Sequence, residues 1–99
     1  MSVIKSVLKD ERARLLMLFA IYNKRIRSYP KGAIVIKKIS GHSYAYRTTR
    51  NGSKVETEYV GRAGTLQASR AIEKQKSLRK YLGLAKQIKN KLREIDKAL

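Results

Sequence analysis

The stretch Gly41–Gly61, GHSYAYRTTRNGSKVETEYVG, decides how this chain reads. Apolar and polar residues alternate along it with a period of two, as in a strand with one covered face. Asn51-Gly52 sits midway. Between two such runs this dipeptide is the strongest short hairpin signal, because both residues tolerate the positive φ of a tight turn. Upstream, Ala33–Ile39 (AIVIKKI) is rich in β-branched residues, and Ser40-Gly41 supplies a second turn. The expectation is a three-stranded antiparallel meander over about residues 33–60.

Two-residue turns pair Arg50 with Ser53 and Ile39 with His42. Tyr44, Tyr46 and Thr48 then share a face with Val35, Lys37, Ile39, His42, Val55, Thr57 and Tyr59. The opposite face carries Ile34, Ile36, Lys38, Ala45, Arg47, Thr49, Lys54, Glu56, Glu58 and Val60, with Arg47 across from Glu56 as a cross-strand ion pair. A small sheet buries its more apolar face against helices, so the tyrosine face is expected to be core. The other reading of Tyr44, Tyr46 and Tyr59 is a stacking platform of the kind found in single-strand binders.

Helices flank the meander. From Ser2 to about Ser28 there is no proline or glycine, and Ile4, Leu8, Leu15, Phe19, Tyr22 and Ile26 recur at helical spacing. Tyr29-Pro30-Lys31-Gly32 stops that helix, since a residue preceding proline avoids helical backbone angles. After Gly61–Gly64, Thr65 is a good N-cap for a helix over about residues 65–98. Leu78, Ala85, Leu92 and Leu99 fall at one heptad position and Tyr81, Ile88 and Ile95 at the other. At ~1.5 Å per residue this helix outruns a three-stranded sheet. Its stripe is therefore expected to pack on the first helix, on a second copy in a homodimer, or on both. The whole reads as one α+β domain over residues 1–99: long N-terminal helix, β-meander, long C-terminal heptad helix.

Charge bounds the function. The chain has 99 residues with 24 Lys and Arg against 7 Asp and Glu, a formal charge of +17. Hydrophobic residues make up 42%, enough for a modest core, so this is no disordered basic tail. A polyanion is the natural partner of such an excess. Cysteine is absent, which excludes disulfides and thiolate chemistry. The longest uncharged apolar run near the start, Leu15–Asn23, is far below the roughly 20 residues of a membrane span. Asp10 and Glu11 spoil a signal-peptide lead. The expected location is the cytoplasm, with no membrane partner.

Catalysis has little to draw on. His42 is the single histidine and has no carboxylate pair beside it. The pairs Asp10–Glu11 and Glu94–Asp96 point apart on helices, and Glu56–Glu58 lie among cations. The segment Gly61–Gly64 lacks the lysine and spacing of a phosphate loop. No enzyme activity, cofactor or metal is expected.

The cations are distributed one-sidedly. No carboxylate occurs between Glu11 and Glu56, and between Tyr59 and Arg93 the single acid is Glu73. An ordinary solvated helix alternates signs for i, i+4 pairing; this one does not. The candidate nucleic-acid contacts are Lys38, Arg47, Arg50, Asn51 and Lys54 on the sheet and its tip, and Arg79, Lys86 and Arg93 on the outer face of the last helix. Phosphate-backbone recognition is expected, of DNA ahead of RNA.

Gly32–Val35, Lys37, Lys38, Gly41, Tyr44, Tyr46, Gly52, Lys54, Val55 and Tyr59–Gly61, followed by a charged heptad helix, resemble a family of small uncharacterised proteins from bacteria, archaea and their mobile elements. The likeness covers most of the chain and implies architecture rather than activity. The meander followed by a helix also looks like the three-stranded DNA-binding domains of phage integrases, which implies a sheet face in a major groove. A mobile-element origin would also suit a protein-interaction module, such as an inhibitor of a host nucleic-acid-guided complex of the anti-CRISPR kind.

Overall fold

The computed structural model describes residues 2–99. It contains helix α1 (Val3–Ser28), strands β1 (Ala33–Ile39), β2 (His42–Asn51) and β3 (Lys54–Arg62), and helix α2 (Leu66–Ala98). The fold is α+β, as the periodicities predict, and the sheet is an antiparallel meander in the order β1-β2-β3. Contacts divide the chain into two compact units. One comprises α1 and α2 from Leu78 onward; the other comprises residues 29–77.

In the helical unit, α1 and α2 run antiparallel. The Tyr22 and Tyr81 rings are 5.7 Å apart, and at the opposite end Arg12 Nε donates to Asp96 Oδ1 over 2.9 Å. Leu15, Ile88 and Ile95 form the buried centre, with Leu8, Leu18, Phe19, Tyr22 and Leu92 packed against it. From Tyr81 to Ile95 the heptad stripe of α2 is thus packed on α1, while Leu99 stays exposed. Packing on the first helix is one of the coverings expected for that stripe, and it is the one found within the chain. Apolar side chains stay exposed on α1, Val3, Val7, Met17 and Ile21 among them, and on α2 at Leu66 and Leu82.

The sheet unit is organised by small residues. Ala45 is completely buried, Gly61 lies beside it in the register, and Ala68 and Ala71 of α2 are buried too. A Cβ added at Gly61 would stand 2.9 Å from Thr65 Oγ1 and 3.7 Å from the Ala68 nitrogen. The start of α2 therefore lies directly on this glycine. Thr65 caps the helix as predicted: its Oγ1 accepts from the Ala68 N–H over 3.3 Å and donates to the Arg62 carbonyl over 2.7 Å. Further along, Gln75 Oε1 accepts the edge N–H of Ile34 over 2.8 Å, satisfying a donor that β2 leaves free.

Cover therefore falls on the face bearing Ile34 and Ala45, around Ala45 and Gly61, while Ile36, Lys38, Lys54, Glu56 and Glu58 farther out on that face stay exposed. The expected burial of the tyrosine face is overturned. Apolar count favours the tyrosines. Close approach favours alanine and glycine, and close approach prevails because the facing side of α2 is itself alanine.

The turns agree with the pattern in kind, with one change of register. Ser40 and Gly41 have φ of 51° and 81°, positive at both central positions as a type I′ turn requires. At the second turn only Gly52 is positive, at 62°, so the central pair is Gly52-Ser53 and Asn51 pairs with Lys54. This shifts the register by two residues. Faces are unaffected by an even shift, but Arg47 now lies across from Glu58, and Thr49 takes Glu56. The predicted Arg47–Glu56 pair does not form. Arg47 Nη1 instead donates to the Lys31 carbonyl over 3.4 Å.

A bulge interrupts β3. Tyr59 pairs with Tyr46 and Gly61 with Ala45, leaving Val60 as the extra residue. Beyond it the alternation is reset, so Arg62 faces the same way as Tyr44.

Gly32 and Gly83 should respond to alanine with opposite signs. Gly32 has φ +98°, and its added Cβ would lie 2.5 Å from the Thr48 carbonyl oxygen, whereas Gly83 sits in α2 with open space around it. Gly32→Ala is expected to cost at least about 2 kcal/mol, and Gly83→Ala to stabilise by up to about 1 kcal/mol. Thermal melts of the two variants check this.

Candidate nucleic-acid interface

With α2 on one side of the sheet, the other side is open. Its layout follows from the register as five cross-strand rows. Val35, Tyr46 and Tyr59 form the central row; Lys37, Tyr44 and Arg62 form the next; Ile39 and His42 close that end. Toward the tip, Thr48 pairs with Thr57 and Arg50 with Val55. Successive rows are roughly 7 Å apart, two residues along a strand.

The rings lean on one another. Tyr46 and Tyr59 have centroids 5.6 Å apart at 63°, and Tyr44 and Tyr59 are 6.3 Å apart at 53°. Edge-to-face pairs of this kind hold each other in place, worth about 0.5–1.5 kcal/mol beyond their burial. Tyr44 and Tyr46 are half-buried in this cluster, while Tyr59 is 56% exposed. Val35, Ile39 and Val55 are exposed around them. A contiguous apolar and aromatic surface left open on a small sheet is the kind of patch that marks a binding site.

Cations surround the rings. Lys37 Nζ lies 5.1 Å from the Tyr46 ring centroid, a cation–π contact. Arg62 Nη2 is 2.6 Å from His42 Nδ1. Guanidinium has no acceptor, so Arg62 donates and the imidazole presents its bare nitrogen. That bond fixes Arg62 beside Tyr44. Arg50 stands on the same face by register, at its far end.

Acids are sorted away from this surface. Glu56 and Glu58 pair with Thr49 and Arg47, both on the side that carries Ala45. Among the described residues the ion pairs are Arg12–Asp96, Arg14–Glu11 and Lys76–Glu73, all on the helices. The hydrogen bond from Arg14 holds the Glu11 carboxyl below its ordinary range. Among the described residues no three histidine or carboxylate side chains gather to hold a metal, and no helix is long and apolar enough to cross a membrane.

The residues singled out from the sequence fall into three places. Arg50, expected at the hairpin tip, stands by register on the open tyrosine face, whereas Lys38, Arg47 and Lys54, with which the predicted surface grouped it, lie on the other. Lys38, Asn51 and Lys54 are exposed on the other side with the two glutamates, and Arg47 is half-buried there. Arg79, Lys86 and Arg93 are exposed on α2, in the helical unit. Sequence reasoning missed Lys37, His42 and Arg62 as site residues. Lys37 and His42 were readable as neighbours of the tyrosines; Arg62 was hidden because the bulge at Val60 reverses its side. No protein-family model, curated protein or solved structure matches the chain, so the reading of this face rests on its own geometry.

Which sheet face is inward can be tested by stability. Ala45→Asp places a charge where nothing is exposed and should cost several kcal/mol. Tyr59→Ser removes two ring contacts, with Tyr44 and Tyr46, on an open surface and should cost less, about 1–3 kcal/mol. Urea denaturation of both variants checks the order; the reverse order would mean that the tyrosines are core.

Proposed function

We propose that the protein binds nucleic acid, without catalysing a reaction on it, through the tyrosine-bearing face of its sheet. The observation that carries this reading is the composition of that face: aromatic rings, three cations and no carboxylate. Each component suits the polymer. Lys37, Arg50 and Arg62 supply charge for phosphates, and arginine can grip a phosphate with two parallel hydrogen bonds. The rings supply flat apolar area for sugars and bases. The formal charge of +17 adds long-range attraction and a fast, salt-sensitive encounter.

A protein-interaction role draws on a different observation, the open apolar side chains Val3, Val7, Met17 and Ile21 of α1. The two readings separate cleanly. Met17→Ser with Ile21→Ser should leave nucleic-acid affinity unchanged if the sheet is the site.

Replacing Lys37, Arg50 and Arg62 together by alanine should weaken binding more than replacing Arg79, Lys86 and Arg93. It should also flatten the dependence of log K on log salt by about 2, at ~0.7 per phosphate contact on single strands. Fluorescence anisotropy across a salt series measures both. Equal affinity for the sheet variant and the unmodified protein, with loss in the helix variant, would transfer the site to α2.

A further inference from the structure

We infer that the nucleic acid accepted by this face is single-stranded, its bases stacking on the tyrosines with Tyr59 as the principal platform. This rests on the nucleic-acid reading above and narrows it to strands whose bases are unpaired. A duplex hides the faces of its bases and offers phosphates and groove edges instead. Reading groove edges calls for amides or guanidinium groups projecting from the centre of the surface. The central row here is Val35, Tyr46 and Tyr59, with no amide and with hydroxyl groups only at the ring tips. Set against a duplex backbone, Val35, Ile39 and Val55 would press apolar surface onto phosphates. Set against unpaired bases, they extend the apolar floor on which the bases lie.

The arrangement of charge agrees with the stacking. Lys37 and Arg62 flank Tyr44 in one row, next to the row that holds Tyr46 and Tyr59, roughly 7 Å away. A strand laid with its bases on the rings therefore carries its phosphates past these cations. Tyr46 already has the Lys37 ammonium over its ring. Tyr59 is more than half exposed, and among the described residues no cation lies over it. Its ring also touches Tyr44 and Tyr46, and the surface it leaves exposed is what a base would meet. RNA and DNA strands share this chemistry, and the probes below tell them apart.

The test uses the full chain and fluorescence anisotropy with four labelled probes: oligo(dT), oligo(U), a mixed-sequence DNA duplex, and an abasic strand that keeps phosphates but lacks bases. At one salt concentration, oligo(dT) or oligo(U) should bind about 10-fold or more tightly than the duplex or the abasic strand, a factor within the range of base–aromatic stacking. Tyr59→Leu should lose about 10-fold on that strand, Tyr59→Phe should retain affinity, and the salt slope of Tyr59→Leu should match the unmodified protein because phosphate contacts are untouched. Against the abasic strand Tyr59→Leu should lose nothing further. Circular dichroism establishes that each variant is folded. Duplex binding as tight as single-strand binding, or Tyr59→Leu binding like the unmodified protein, overturns stacking while leaving a nucleic-acid-binding protein. Binding to none of the four probes overturns the broader reading as well.

Discussion

Everything on the sheet follows from how closely α2 approaches it. Ala45 is fully enclosed, and a Cβ at Gly61 would crowd Thr65 Oγ1 at 2.9 Å, with the Ala68 nitrogen in ordinary contact at 3.7 Å. Side chains of this size let a helix lie directly on strand backbone, and the alanines at 68 and 71 answer them from the other side. Larger groups at any of these points would hold helix and sheet apart and open voids that interiors do not tolerate. The Thr65 cap and the Gln75 bond to β1 then fasten the helix at both ends of the contact. With one face committed in this way, the other is left to the solvent.

That single commitment also sorts the charges. Side chains alternate along a strand, so residues one apart go to opposite faces. Glu56 and Glu58 go with Ala45; Val55 and Tyr59 go with Tyr46. The bulge at Val60 turns Arg62 toward Tyr44, where the bond to His42 holds it. A face without carboxylates, bearing Lys37, Arg50 and Arg62 among the half-buried rings of Tyr44 and Tyr46 and the exposed ring of Tyr59, is the outcome. Its field attracts a polyanion and its surface offers flat contacts once the polymer arrives.

The elements themselves were legible because each has a strong local cause. Helical spacing from Ile4 to Ile26, the stop at Tyr29-Pro30, the positive-φ turn at Ser40-Gly41 and the Thr65 cap all stand where local chemistry demands them. Face membership was legible too, since the two-residue shift at Gly52-Ser53 preserves parity. Which face turns inward was not, because an apolar count weighs tyrosine above alanine and ignores how near a helix must come. The signal was present in Ala45, Gly61, Ala68 and Ala71, a set of small residues distributed over a strand pair and a helix. It could be read only after Gly61 was known to lie opposite Ala45, and that depends on the bulge. The cations of α2 were legible as an exposed stripe, while the grouping of Lys37, His42 and Arg62 around Tyr44 needed the observed register.

The central claim, that the tyrosine face is outward and receives the polymer, is tested most directly by nuclear magnetic resonance during titration with a single-stranded oligonucleotide. The account predicts ring-current shifts of the Tyr46 and Tyr59 side-chain protons, with amide shifts clustered at Val35, Lys37, Tyr44 and Arg62. Shifts confined to Arg79, Lys86 and Arg93 on α2, with the tyrosine rings unmoved, would contradict it.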